Sequence, residues 1–115
     1  MYQFTYAEVV EDSPQEMRSR ERDALGRAVE LLEVAAKAGV QTRQGNEALT
    51  YLRRLWTIFL DDLGSKGNDL PEEVRAQLIS IGIWMMKEIE RLRTGATTSF
   101  KDLIEINIII RDGLA

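Results

Sequence analysis

Nine consecutive residues, Leu78-Ile79-Ser80-Ile81-Gly82-Ile83-Trp84-Met85-Met86, are apolar on almost every side of a helix, broken only by Ser80 and Gly82. Charged residues flank the run at Glu72, Glu73, Arg75, Lys87, Glu88 and Glu90. A bilayer span needs ~20 apolar residues, so this stretch is too short to cross one. It must serve as the hub of a helical core, or as core plus a surface kept for a partner.

The surrounding chain has room for one domain and one core. Its 115 residues are 44% apolar and 30% charged, within the ordinary globular range. There is no histidine and no cysteine. That excludes a thiol nucleophile, an imidazole base, the usual zinc ligands and any disulfide framework. Fifteen Lys and Arg against nineteen Asp and Glu give a net charge of −4. Such a balance opposes direct binding to nucleic-acid phosphates. The opening Met-Tyr-Gln-Phe-Thr-Tyr lacks the basic and apolar regions of a secretory signal, so a cytoplasmic location and no membrane insertion are expected.

Helix punctuation divides the chain into an arm and four helices. Over 1–12, Tyr2, Phe4 and Tyr6 alternate as in an extended segment with aromatics on one side. This arm either docks on the protein's own bundle or engages a partner. Ser13-Pro14-Gln15-Glu16 forms a capping box with proline at the first helical position, and Gly39 supplies a C-terminal stop. Ala24, Ala28, Leu31 and Ala35, with Leu25 and Leu32 alongside, give this first helix its apolar stripe.

A second helix runs from near Thr42 to Leu63, with Leu49, Leu52, Trp56, Phe59, Leu60 and Leu63 on its inner face and Leu55 at the margin. Tyr51 and Ile58 point away. Asp69-Leu70-Pro71-Glu72 is the capping signal of a third, which runs to about Arg93. On that helix Val74, Leu78, Ile81, Met85 and Leu92 share one face, while Ile79, Ile83 and Met86 lie nearly opposite. Gly82 lies between and would allow another backbone to approach closely.

The fourth helix opens at Thr98 or Ser99, with Leu103, Ile106 and Ile110 inward and Gly113 as its stop. Isoleucines at 104, 106, 108 and 110 also alternate like a strand, but no other segment offers a strand partner. The expected fold is therefore all-α, a small antiparallel four-helix bundle over 13–115 preceded by an extended N-terminal arm.

Catalytic patterns are missing from this sequence. It holds no glycine-rich phosphate loop and no cofactor motif. The carboxylate pairs Asp61-Asp62 and Glu72-Glu73 are sequence neighbours, about 100° apart around a helix, so neither converges on a shared proton. No catalytic, cofactor-binding or metal-binding residues are expected, and no cofactor. Binding is the function left. Ile79, Ile83 and Met86 are its candidate residues, as a groove floor, with Tyr2, Phe4 and Tyr6 as a clamp. The alternative is that helix 3 is central and packed on both sides.

Several segments are similar to the FlaF family of flagellar biosynthesis regulators. They are Tyr-x-x-x-x-Glu-Asp-Ser-Pro-x-Glu from Tyr6 to Glu16, Arg53-Arg54-Leu55-Trp56-Thr57, the run from Leu70 to Trp84, and the run from Leu103 to Leu114. They lie in collinear order across the chain. The resemblance implies a small cytoplasmic protein of bacterial flagellum assembly, without catalytic residues. It implies action on flagellin, as an export chaperone or a positive regulator of its synthesis. It also implies pairing with FlbT, a post-transcriptional repressor associated with flagellin mRNA. Flagellin's terminal segments are amphipathic helices, which a spare apolar face could cover by helix-in-groove packing. Two other readings are a regulator that works mainly through FlbT or its RNA complex, and a structural homodimer that buries the same face. The oligomeric state is left open.

Overall fold

A computed structural model describes the backbone of residues 14–113 and the side chains from residue 19 onward. The arm 1–12 and the capping serine, Ser13, lie outside the described residues. The elements are α1 (Pro14–Ala38), α2 (Arg43–Leu63), α3 (Glu72–Thr94) and α4 (Lys101–Asp112), with no strand among the described residues. The isoleucine-rich segment is helical, as expected, and among the described residues no strand stands beside it to pair with.

The helix ends follow local chemistry. Gly39 closes α1 with φ 108° while its N–H donates to Ala35 O at 2.8 Å. A β-carbon is disfavoured at that φ, which is why glycine stands there. Three residues later the Thr42 hydroxyl donates to Gly39 O at 2.7 Å and accepts from Gly45 N–H at 3.0 Å. One side chain thus caps α2 and ties it to the end of α1. The turn is so tight that a β-carbon on Gly45 would collide with the carbonyl oxygens of Gly39 and Val40. At the far end of α3, Gly95 (φ 83°) donates to Leu92 O and Ala96 N–H donates to Arg91 O at 2.8 Å, a Schellman closure.

Two helix starts differ from expectation. In α3, Pro71 occupies the N-cap itself and no side chain caps the helix. Asp69 stands two residues too early, and Asn68 Oδ1 instead accepts the Leu70 N–H at 3.0 Å. Glu72 and Glu73 still complement the positive end of the helix. In α4 the start falls at Lys101 rather than at Thr98 or Ser99, because Ser99 and Thr97 spend their hydroxyls on the turn before it.

Long-range contacts fix the topology as antiparallel. The Tyr51 hydroxyl on α2 reaches Ala24 O on α1 at 3.4 Å, and Arg93 near the end of α3 donates to Thr50 Oγ1 near the start of α2 at 2.9 Å. Gly26 of α1 faces Arg111 at the end of α4. α1 packs along both α2 and α4, and α3 packs mainly along α2. Leu25, Ala28, Leu32 and Ala35, the α2 stripe from Ala48 to Trp56, Met85, Ile89 and Leu92 of α3, and Phe100 and Leu103 make the core.

Three assignments change in this packing. Leu55 is buried in the core rather than marginal, whereas Phe59 and Leu60 are half-buried. Tyr51 does not point away. It packs on the core and uses its hydroxyl on α1. The run from Leu78 to Met86 is not the hub, since only the C-terminal half of α3 enters the core deeply and Val74, on the inward face, is exposed.

Candidate partner-binding surfaces

On α3 the residues expected to meet a partner lie four and three positions apart, a spacing that puts them on one helical face. Ile83 is 48% exposed, Ile79 is half-buried, and Met86 is half-buried and packed against the core. They form a strip along one side of α3. Met86 lies three positions before the buried Ile89, on the side of the strip nearest the core, and packs against it. Gly82 is buried where Leu60 of α2 covers it, and an added β-carbon would overlap the Leu60 side chain. This close approach was expected of Gly82, and a side chain rather than backbone fills it. It pins α3 to α2 and leaves the Ile83 side of α3 facing outward.

A concave apolar site lies elsewhere. Leu25 of α1, Trp56, Phe59 and Leu63 of α2, Leu78 of α3 and Ile110 of α4 line a cavity of about 100 Å³, with Leu70 at its lip. Glu21, Asp62 and Asn68 form its polar edge. Asn68 Nδ2 donates to Asp62 Oδ2 at 3.1 Å, which holds the loop over one side. Trp56 and Phe59 meet edge to face at 5.3 Å and 83°, so the aromatic wall has fixed geometry. Sequence reasoning placed these residues in the core stripe but missed the opening. All four helices contribute lining residues at this end of the bundle, and among the described residues none closes it.

Below that wall lies a buried polar contact that sequence reasoning also missed. Asn107 is fully buried among the isoleucines of α4. Its Oδ1 accepts the Trp56 Nε1–H at 2.9 Å, and its Nδ2 donates to Leu103 O at 2.7 Å and meets Met85 Sδ at 3.5 Å. One amide therefore joins α2, α3 and α4. Its only signal in the sequence is one polar residue four positions after Leu103, on the inner stripe.

Glu88 is buried, and Arg91 donates to its Oε1 at 2.9 Å. Asp61, Glu72 and Glu73 are exposed, and Asp62 is engaged by Asn68. Burial pushes the Tyr51 hydroxyl above its ordinary pKa, and the nearby Arg27 charge opposes part of that rise. Among the described residues no group of three acidic side chains could hold a metal ion, and no helix is long and apolar enough to cross a membrane. The aromatic residues Tyr2, Phe4 and Tyr6 lie outside the described residues.

Among the described residues the fold is that of a small all-α protein with partly exposed apolar side chains on α3 and at one end of the bundle. A family model described as flagellar protein FlaF matches residues 2–114, and the chain belongs to that family. No curated protein and no solved structure matches the chain.

Proposed function

We propose that this protein is a non-enzymatic flagellum-assembly factor of the cytoplasm that binds flagellin as an export chaperone or adaptor. In this reading it promotes flagellin synthesis and secretion together with the repressor FlbT. Family membership supports the flagellar setting. The single observation that supports a binding role is the outward strip of α3, where Ile83 stands 48% exposed beside Ile79. An amphipathic flagellin helix would cover that strip by apolar packing. Net negative charge supports the reading that any effect on mRNA is indirect, through a protein partner.

The test is capture of purified flagellin by the wild-type chain and by an Ile79→Asp, Ile83→Asp variant. Ile83 is exposed enough for its substitution to leave the core intact, and a melting curve verifies folding. Loss of capture by the folded variant supports the reading. Undiminished capture removes the α3 strip, and a chain that binds FlbT while ignoring flagellin assigns the function to FlbT instead.

A further inference from the structure

One seam of the bundle is loosely closed. α1 packs along both α2 and α4, and α3 packs along α2, whereas α3 and α4 pack on each other far less. Trp84 is ~160° around α3 from Gly82, which Leu60 of α2 covers, and Ile109 is ~160° around α4 from Arg111, which faces Gly26 of α1. The two residues therefore mark the two banks of the seam. On the α3 bank Ile81 and Trp84 are only partly buried against the core. On the α4 bank Ile106 is half-buried, and Ile109 is 65% exposed, more than any other large apolar side chain among the described residues. We propose that this seam is the interface of a two-fold homodimer, in which α3 of one copy lies against α4 of the other.

Two contacts fix the level of one bank against the other. Asn107 Nδ2 meets Met85 Sδ at 3.5 Å, and Leu78 and Ile110 line the same cavity. α3 and α4 are antiparallel, so one residue forward on α3 matches one residue back on α4. Trp84 is therefore level with Ile109, Lys87 with Glu105 and Arg91 with Asp102, each to within a residue. A two-fold axis parallel to the helices keeps these levels and brings α3 of each copy to α4 of the other. Charge identifies the occupant as a second copy. The α3 bank carries exposed Lys87, and Arg91, whose side chain stays 56% exposed beyond its bond to buried Glu88. The α4 bank carries exposed Asp102 and Glu105, which form no ion pair among the described residues, while Lys101 lies on the α1 side near Ala36. Each bank complements the other and repels itself, so two copies pair α3 with α4 twice over, as an isologous interface requires. Like-charged Glu73 and Asp112 sit at the far end of the seam, beyond the apolar patch, and Arg111 engages Asp112. The bundle measures 41 by 24 Å from the side, room for the roughly 800 Å² per copy that a stable dimer buries. The strip of Ile79 and Ile83 lies on another flank of α3 and stays open, so the dimer does not rest on flagellin binding.

Sedimentation equilibrium of the full chain across micromolar concentrations tests this. A species of twice the 13.1 kDa chain mass is expected. Trp56 is already buried in the monomer, so a blue shift of tryptophan emission with rising concentration reports Trp84. Ile109→Glu, at a position exposed enough to spare the fold, should weaken the dimer by about tenfold or more. Lys87→Glu sets like charges against Glu105 in both halves of the interface, and Glu105→Lys does so against Lys87, so each should also weaken the dimer by about tenfold. Mixed in equal amounts, these two charge variants should associate again, because every contact then pairs one lysine with one glutamate. Circular dichroism verifies that each variant is folded. A chain that stays monomeric throughout the range overturns the proposal and leaves the seam to a different protein. A dimer unmoved by Ile109→Glu, or one dissolved by Ile83→Asp instead, puts the interface on another face and overturns it equally. Charge variants that stay apart when mixed refute the pairing of α3 with α4.

Discussion

Replacing Asn107 by leucine isolates the polar contact that joins three helices. The leucine has nearly the same shape, so packing is largely kept while all three side-chain hydrogen bonds disappear. What remains is the Trp56 Nε1–H, fully enclosed and without its acceptor at 2.9 Å. A buried donor left unsatisfied costs about 1–3 kcal/mol. The added apolar atoms recover part of this, and a net loss of about 1–2 kcal/mol is expected. Trp56→Phe removes the donor and much side-chain volume, at about 2–4 kcal/mol. The double variant contains neither donor nor acceptor, so it should be more stable than the sum of single losses implies, by about 1–2 kcal/mol. Urea denaturation of the four proteins, followed by far-ultraviolet circular dichroism, supplies the cycle. In thermal melts each kcal/mol corresponds to about 3–6 °C for a domain of this size. Additive losses, or an Asn107→Leu variant as stable as wild type, would refute the claim that this hydrogen bond couples α2 to α4.

Other perturbations test the remaining joints. Gly45→Ala should destabilise by about 1–3 kcal/mol in the same denaturation assay, because the new β-carbon meets the backbone carbonyls of Gly39 and Val40, which cannot swing aside. Thr42→Ala should cost about 1 kcal/mol and raise amide exchange in the first turn of α2, since it removes both the cap to Gly45 N–H and the tie to Gly39 O. For Tyr51, whose pKa is raised by burial against an opposing Arg27 charge, the folded state holds its proton more tightly than the unfolded state. Its contribution is complete below the ordinary tyrosine pKa near 10 and is lost as pH rises through the higher folded value. Unfolding free energy should therefore fall in that alkaline window, and Tyr51→Phe should flatten the decline.

The four helices were legible because their ends and stripes are written in local chemistry. Thr42, Gly39, Gly95 and the isoleucine periodicity each act within a few residues, and they place α2 to within a residue of its observed ends. Helix start signals were weaker where proline intervened. Pro71 took the cap position, and Asp69, three residues from Glu72 on paper, had no helix turn to close. Tertiary features were the least visible. The sequence left open whether the face opposite Val74 and Leu78 is outward or packed; Ile83 there is exposed, and how far α3 enters the core depends on where α2 ends and its loop turns. Likewise Asn107 and the bundle-end cavity depend on side chains from three or four helices meeting. No window along the chain contains that information.

The central claim is that the outward strip of α3 receives a flagellin helix. Amide exchange of the full chain, measured with and without purified flagellin, tests it most directly. The account predicts new protection along α3 around Ile79 and Ile83. Binding that leaves the exchange of α3 unchanged would contradict it.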